Sequence, residues 1–118
     1  MTLVRCFAEM GMGVDVRGRD YTKAARRAVA DAIRHSSINV FRLLDRDADE
    51  MVVDVTVAGA RPEAVDTAAV AAELPHGTVR VTAVPGGLDV PGGDGAEPMV
   101  IANAAVIVSF DDGRGPAG

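Results

Sequence analysis

One lysine stands apart among the residues able to do chemistry. The 118-residue chain carries twelve cationic side chains, and all but Lys23 are arginine. An ammonium can lose its proton, act as a nucleophile or present a compact charge to an anion, whereas a guanidinium stays protonated and has a different shape. A cation in the first turn of a helix also opposes the helix dipole, so local stability does not account for this one. Glu9 and Asp15 supply carboxylates close by in sequence. The expectation is a site in which Lys23, Glu9 and Asp15 do catalytic work. Arg5, Gly11, Gly13 and Asp20 would hold a small anionic ligand where the helix N-terminus offers free N–H groups. The competing expectation is that Glu9 and Arg5 form an ion pair across a subunit interface.

Other constellations carry less. The G-x-G at Gly11 and Gly13 lacks the third glycine and the later acid of a dinucleotide fingerprint, and there is no Walker A motif. His35 and His76 each follow a helical pattern, where a contact with the dipole explains a histidine without catalysis. No acid is placed to make a triad of His35 with Ser36 or Ser37. Asp45, Asp47, Asp49 and Glu50 crowd one loop, but the spacing and central glycine of an EF-hand are missing. No metal or cofactor is assigned. The lone Cys6 excludes an intramolecular disulfide and falls where burial as a small hydrophobe is the default.

These residues need elements to position them. Leu3 to Met10 alternates with the period of a strand, and Gly11 and Gly13 then predict a turn. Asp20 sits where an N-cap belongs, so a helix starts near Tyr21, with Ala25, Ala28, Val29, Ala32 and Ile33 as a narrow stripe of mostly small residues facing the core. Met51 to Ala58 is the clearest strand. Arg61-Pro62-Glu63 opens a second helix, with Val65, Ala68, Ala69 and Ala72 on its stripe and Pro75 as its stop. Thr78 to Val84, Leu88 to Val90 and Met99 to Phe110 read as further strands, the last apolar on both faces and therefore central. The glycine-rich stretch from Pro91 to Glu97 is the expected lid or loop tip.

Several segments carry a resemblance: E-M-G-M-G-V-D, R-G-R-D-Y-T-K-A-A-R-R-A, P-H-G-T-V-R-V, P-G-G-L-D-V and I-A-N-A-A-V. Together they resemble the family of small bacterial conserved hypothetical proteins named after a Listeria open reading frame of the Lin series. The resemblance spans most of the chain and implies no reaction, so no site residues are carried over from it.

Length and composition bound the rest. A chain of this size, 48% apolar, makes one globular domain, here 1–110, followed by a loose tail over 111–118. A formal charge of −5 with only three phenylalanines and one tyrosine argues against nucleic acid, which needs a basic surface and stacking platforms. No apolar run is long enough to span a bilayer, and no leader-like start is present, so a soluble, unprocessed, cytoplasmic protein is expected. The element order predicts an α+β fold with a four- to five-stranded mixed sheet and two helices of about fifteen residues on one face, enough to cover one face only. This arrangement is similar to chorismate-mutase-like (YjgF-type) folds, with a ferredoxin-like sheet as the alternative. The uncovered face, bearing Leu3, Phe7, Ile101 and Ile107, predicts a homo-oligomer, a trimer or a multiple of one. Two function classes follow. One is an enzyme acting on a small polar or anionic metabolite at subunit interfaces, for which ring-opening cyclic-amide hydrolases are a fold-level analogy. The other is a non-catalytic ligand-binding or scaffold subunit.

Overall fold

The computed structural model describes residues 3–34, 50–74 and 77–111. His35, Ser36, Ser37, the 38–44 segment, most of the acidic loop, His76 and the tail beyond Asp111 lie outside the described residues, as does the Cys6 side chain.

The architecture is α+β. Strand β1 (Leu3–Asp15) leads into helix α1 (Tyr21–Arg34), followed by β2 (Val52–Gly59), a 3-10 turn (Pro62–Ala64) and a short helix α2 (Thr67–Ala71). Strands β3 (Thr78–Pro85), β4 (Leu88–Val90) and β5 (Met99–Asp111) complete the chain. The mixed sheet runs β1-β5-β2-β3. β5 is antiparallel to β1, β2 and β4, and β2 is parallel to β3. β4 pairs with Met99, Val100 and Ile101, continuing the lane that β2 leaves at Asn103. Gly87, at φ +64, makes that change of lane possible, because a Cβ there would lie 2.2 Å from the Ile101 carbonyl oxygen.

β5 is central, as its two apolar faces required. Val100, Ala102, Ala104, Val106 and Val108 are buried on the helix side with Val53, Val55 and Val57 of β2. The α1 stripe meets them: Ala24, Ala25, Ala28, Val29 and Ala32 are each at most 1% exposed. A stripe this small lets the helix axis approach the sheet closely.

Three expectations are corrected. The two glycines do not turn the chain, for β1 continues through them to Asp15. They face α1 instead: a Cβ on Gly11 would stand 2.2 Å from the Ala28 carbonyl oxygen, and one on Gly13 2.1 Å from that of Ala24. The backbone there approaches a helix, which leaves a ligand no room. The second helix is not one continuous element. Val65 is extended at φ −85 and ψ 123, and the Asp66 carboxylate caps a fresh start by accepting from the Ala68 and Ala69 N–H groups. Local side-chain to backbone bonding of this kind competes with helix continuation. Finally, the register of β1 shifts between Arg5 and Phe7. This irregularity puts Phe7 opposite Val108 and packs it against the core, so it does not belong to the open face.

Candidate ligand cleft

The first turn of α1 sits over a row of three strands. Asp15 on β1 and Asp89 on β4 both pair with Val100 of β5, so the two carboxylates flank a fully buried valine on the helix side of the sheet. Each does a different task.

Asp15, 2% exposed, holds the loop that enters the helix. Its Oδ2 accepts the Asp20 N–H at 2.9 Å, and its Oδ1 faces Lys23 Nζ at 3.8 Å and Arg27 Nη1 at 4.0 Å. Asp20 is the N-cap: its carboxylate accepts the Lys23 N–H at 2.9 Å and its carbonyl the Ala24 N–H at 3.0 Å. The ammonium of Lys23 therefore has a structural partner, because a buried carboxylate needs counter-charge and two cations one helical turn apart provide it.

Asp89 receives Tyr21. The phenol, on a residue 6% exposed, donates to Asp89 Oδ2 at 2.5 Å. Its pKa is raised above the ordinary 10, first by this hydrogen bond, then by burial and by the charge of Asp89, with Arg61 and Arg19 pulling the other way. Asp89 Oδ1 is buried and meets no protein donor among the described residues.

A cleft opens beside this pair. About 360 Å³ of space lies between Arg19 on the entry loop, Asp89, and the glycine-bearing loop at Pro91, Gly92, Ala96 and Pro98. An adjoining hollow of 470 Å³ shares that loop and adds Val16, Arg17, Glu97 and Met99. The two loops are latched where Gly18 N–H donates to Glu97 Oε2 at 2.7 Å. Arg19 stands in the left-handed region at φ +50, although Gly18 is its neighbour. Such a conformation costs a non-glycine residue roughly 1–2 kcal/mol.

Lys23, Arg26, Arg27, Arg34 and Arg80 each face a carboxylate. Among the described residues, Arg17 and Arg19 line the two hollows without an ion-pair partner. Arg5, at the other end of β1, and Arg61 are exposed, likewise without one, and Arg61 acts electrostatically on Tyr21.

Of the seven residues expected from sequence, the fold brings Lys23, Asp15 and Asp20 together. Glu9, half-buried on the helix side, lies six residues back along β1, about 20 Å from Asp15. Arg5 pairs opposite Ser109 on the other face, so the register shift also separates it from Glu9. Gly11 and Gly13 are covered by α1. Sequence reading missed Tyr21, Asp89, Arg19 and Arg61. The one signal available was an arginine beside a glycine in a tight entry loop; the Tyr21–Asp89 contact spans 68 positions and leaves no local trace.

Fold and cleft together define a small α+β protein with an arginine-rimmed hollow at one end of its sheet. The chain belongs to the Lin0512 family of conserved hypothetical proteins, whose model matches residues 5–108. It is similar to a crystal structure of an FtsZ-like protein of unknown function from Nostoc punctiforme, at 38% identity and a TM-score of 0.84, covering 95% of this chain and 99% of that one. No curated protein matches. No helix among the described residues is long and apolar enough to cross a membrane.

Proposed function

We propose that this chain is the subunit of a cytoplasmic homo-oligomer that binds a small anionic metabolite in the cleft between its helix-entry loop and the loop after β4. One observation carries the reading: two guanidinium groups, those of Arg17 and Arg19, line this cleft without a carboxylate partner among the described residues, in a chain whose net charge is −5. Both line a hollow, and a planar guanidinium suits carboxylate or phosphate oxygens. In this reading Lys23, Asp15 and Asp20 support the site from behind by fixing the loop that carries Arg19. The chain is a binding subunit first. The enzyme reading, with Lys23, Glu9 and Asp15 as working groups, has against it the distance of Glu9.

The open sheet face supports the assembly. Met10, Met12 and Leu88 are 75%, 54% and 57% exposed there, beside half-buried Ile101 and Ile107. A chorismate-mutase-like topology fits the element order better than a ferredoxin-like one, since α2 intervenes between β2 and β3 where the ferredoxin pattern joins two strands directly.

Thermal unfolding with inorganic phosphate, succinate and a cyclic amide such as hydantoin tests the reading. An anion at 100 times its Kd should stabilise the fold by about 2.7 kcal/mol. Stabilisation by hydantoin alone would favour the cyclic-amide analogy instead, and no response to any anion would favour a scaffold.

A further inference from the structure

We propose that the ligand of this cleft is a small carboxylate that also carries a neutral O–H or N–H donor, its anionic oxygens held by Arg19 and its donor given to Asp89. The proposal rests on the anion-binding reading and adds a second recognition element to it.

The argument starts from an unmet acceptor. A carboxylate has room for about four hydrogen bonds, and Tyr21 occupies one oxygen of Asp89 while the other meets no protein donor although it is buried. Leaving such a group unsatisfied is costly, and native structures retain one where something else uses it. Asp89 forms part of the cleft wall. The terminal torsion of an aspartate is soft, so a modest turn presents Oδ1 to a molecule in the hollow. Tyr21 cannot supply the second bond, because its single proton is already given to Oδ2.

The neighbours decide what kind of donor fits. Arg19 borders the same hollow and Arg61 is close enough to bias Tyr21 electrostatically. The Arg19 guanidinium that borders the same hollow repels an ammonium, so a hydroxyl or amide N–H is favoured over a charged amine. A site built to take a donor also discriminates against the analogue that lacks it.

Three four-carbon diacids separate these possibilities: malate carries a hydroxyl, succinate nothing and aspartate an ammonium at the same carbon. Tyr21 is the one tyrosine and there is no tryptophan, so its emission reports on the site without interference. The expected result is that malate binds about tenfold more tightly than succinate, the size of a hydrogen bond to a charged acceptor, with aspartate weakest. D89N should erase the malate preference, since the amide offers a donor where the ligand needs an acceptor, and should bind succinate at least as tightly as the parent because a negative charge has left the cleft wall. Equal binding of malate and succinate to the parent, or a malate preference surviving in D89N, overturns the proposal while leaving the anion site standing. Failure of all three acids to bind overturns the anion reading itself.

Discussion

Tyr21 and the glycines of β1 show how much a single position settles. The Asp89 hydrogen bond and burial lift the phenol above its ordinary value of 10, so the folded state holds its proton to a higher pH than the unfolded chain does. Stability from this contact is therefore complete below about pH 10 and is lost as pH rises through the folded value. Alkaline titration of the phenolate absorbance should place Tyr21 above a free tyrosine, and D89N should bring it back toward the ordinary value; an unshifted parent titration contradicts the contact. Gly13 makes a harder demand. G13A would set a methyl group 2.1 Å from the Ala24 carbonyl oxygen, and urea unfolding should register a loss of about 3 kcal/mol as α1 is pushed off β1. Sequence alone read these glycines as a turn because a glycine needed for a close approach and one needed for a bend look the same until the opposite element is known. Lys23 is legible as an oddity in the sequence; that Asp15 beside it is buried and accepts the Asp20 N–H is not, because its burial depends on the helix packed over it.

At the level of elements, the start of α1 and most of its buried stripe were legible, although Tyr21 and Ala24 are also buried and Ile33 only half so. Its cap at Asp20 and small-residue stripe are local signals, and both are present. α2 was legible only in part, since the Asp66 cap that restarts the chain lies within a stretch whose apolar spacing suits a longer helix. The parity of β1 was lost for a similar reason: one register shift after Arg5 exchanges the faces of the residues before and after it, and nothing in an alternating pattern announces it. The same strand shows how an edge is closed. Met12 N–H donates to Asp31 and the Val14 carbonyl accepts from Arg27, so two α1 side chains cover backbone groups that another strand would otherwise find. D31A should open that stretch of β1, and amide exchange at Met12 should rise above the parent rate; unchanged protection there contradicts the capping role.

For the whole molecule, the layout of one helix layer over a five-stranded sheet leaves an apolar face whose exposed residues are those of the β1–β5–β4 side. Arg80 and Asp54 pair at 2.8 Å on the β2–β3 side, which makes that part of the face polar. Assembly through the apolar part predicts a trimer or a multiple of one in light scattering at micromolar concentration. M10D, at a position 75% exposed, should dissociate it without unfolding the subunit. A monomeric parent contradicts the proposed assembly.

The central claim is that Arg19 is kept in a strained conformation for the anion its side chain holds. Arg19 stands at φ +50, where glycine is at ease, so R19G relieves strain as it removes the guanidinium and should leave stability within about 1 kcal/mol of the parent. The direct measurement is a succinate titration followed by Tyr21 emission at low ionic strength, parent against R19G. The account predicts saturable binding by the parent and at least about a tenfold loss in R19G, the scale of a charge-assisted hydrogen bond, with stability kept within about 1 kcal/mol of the parent. Equal affinity in the two proteins, or no binding by the parent, would contradict it.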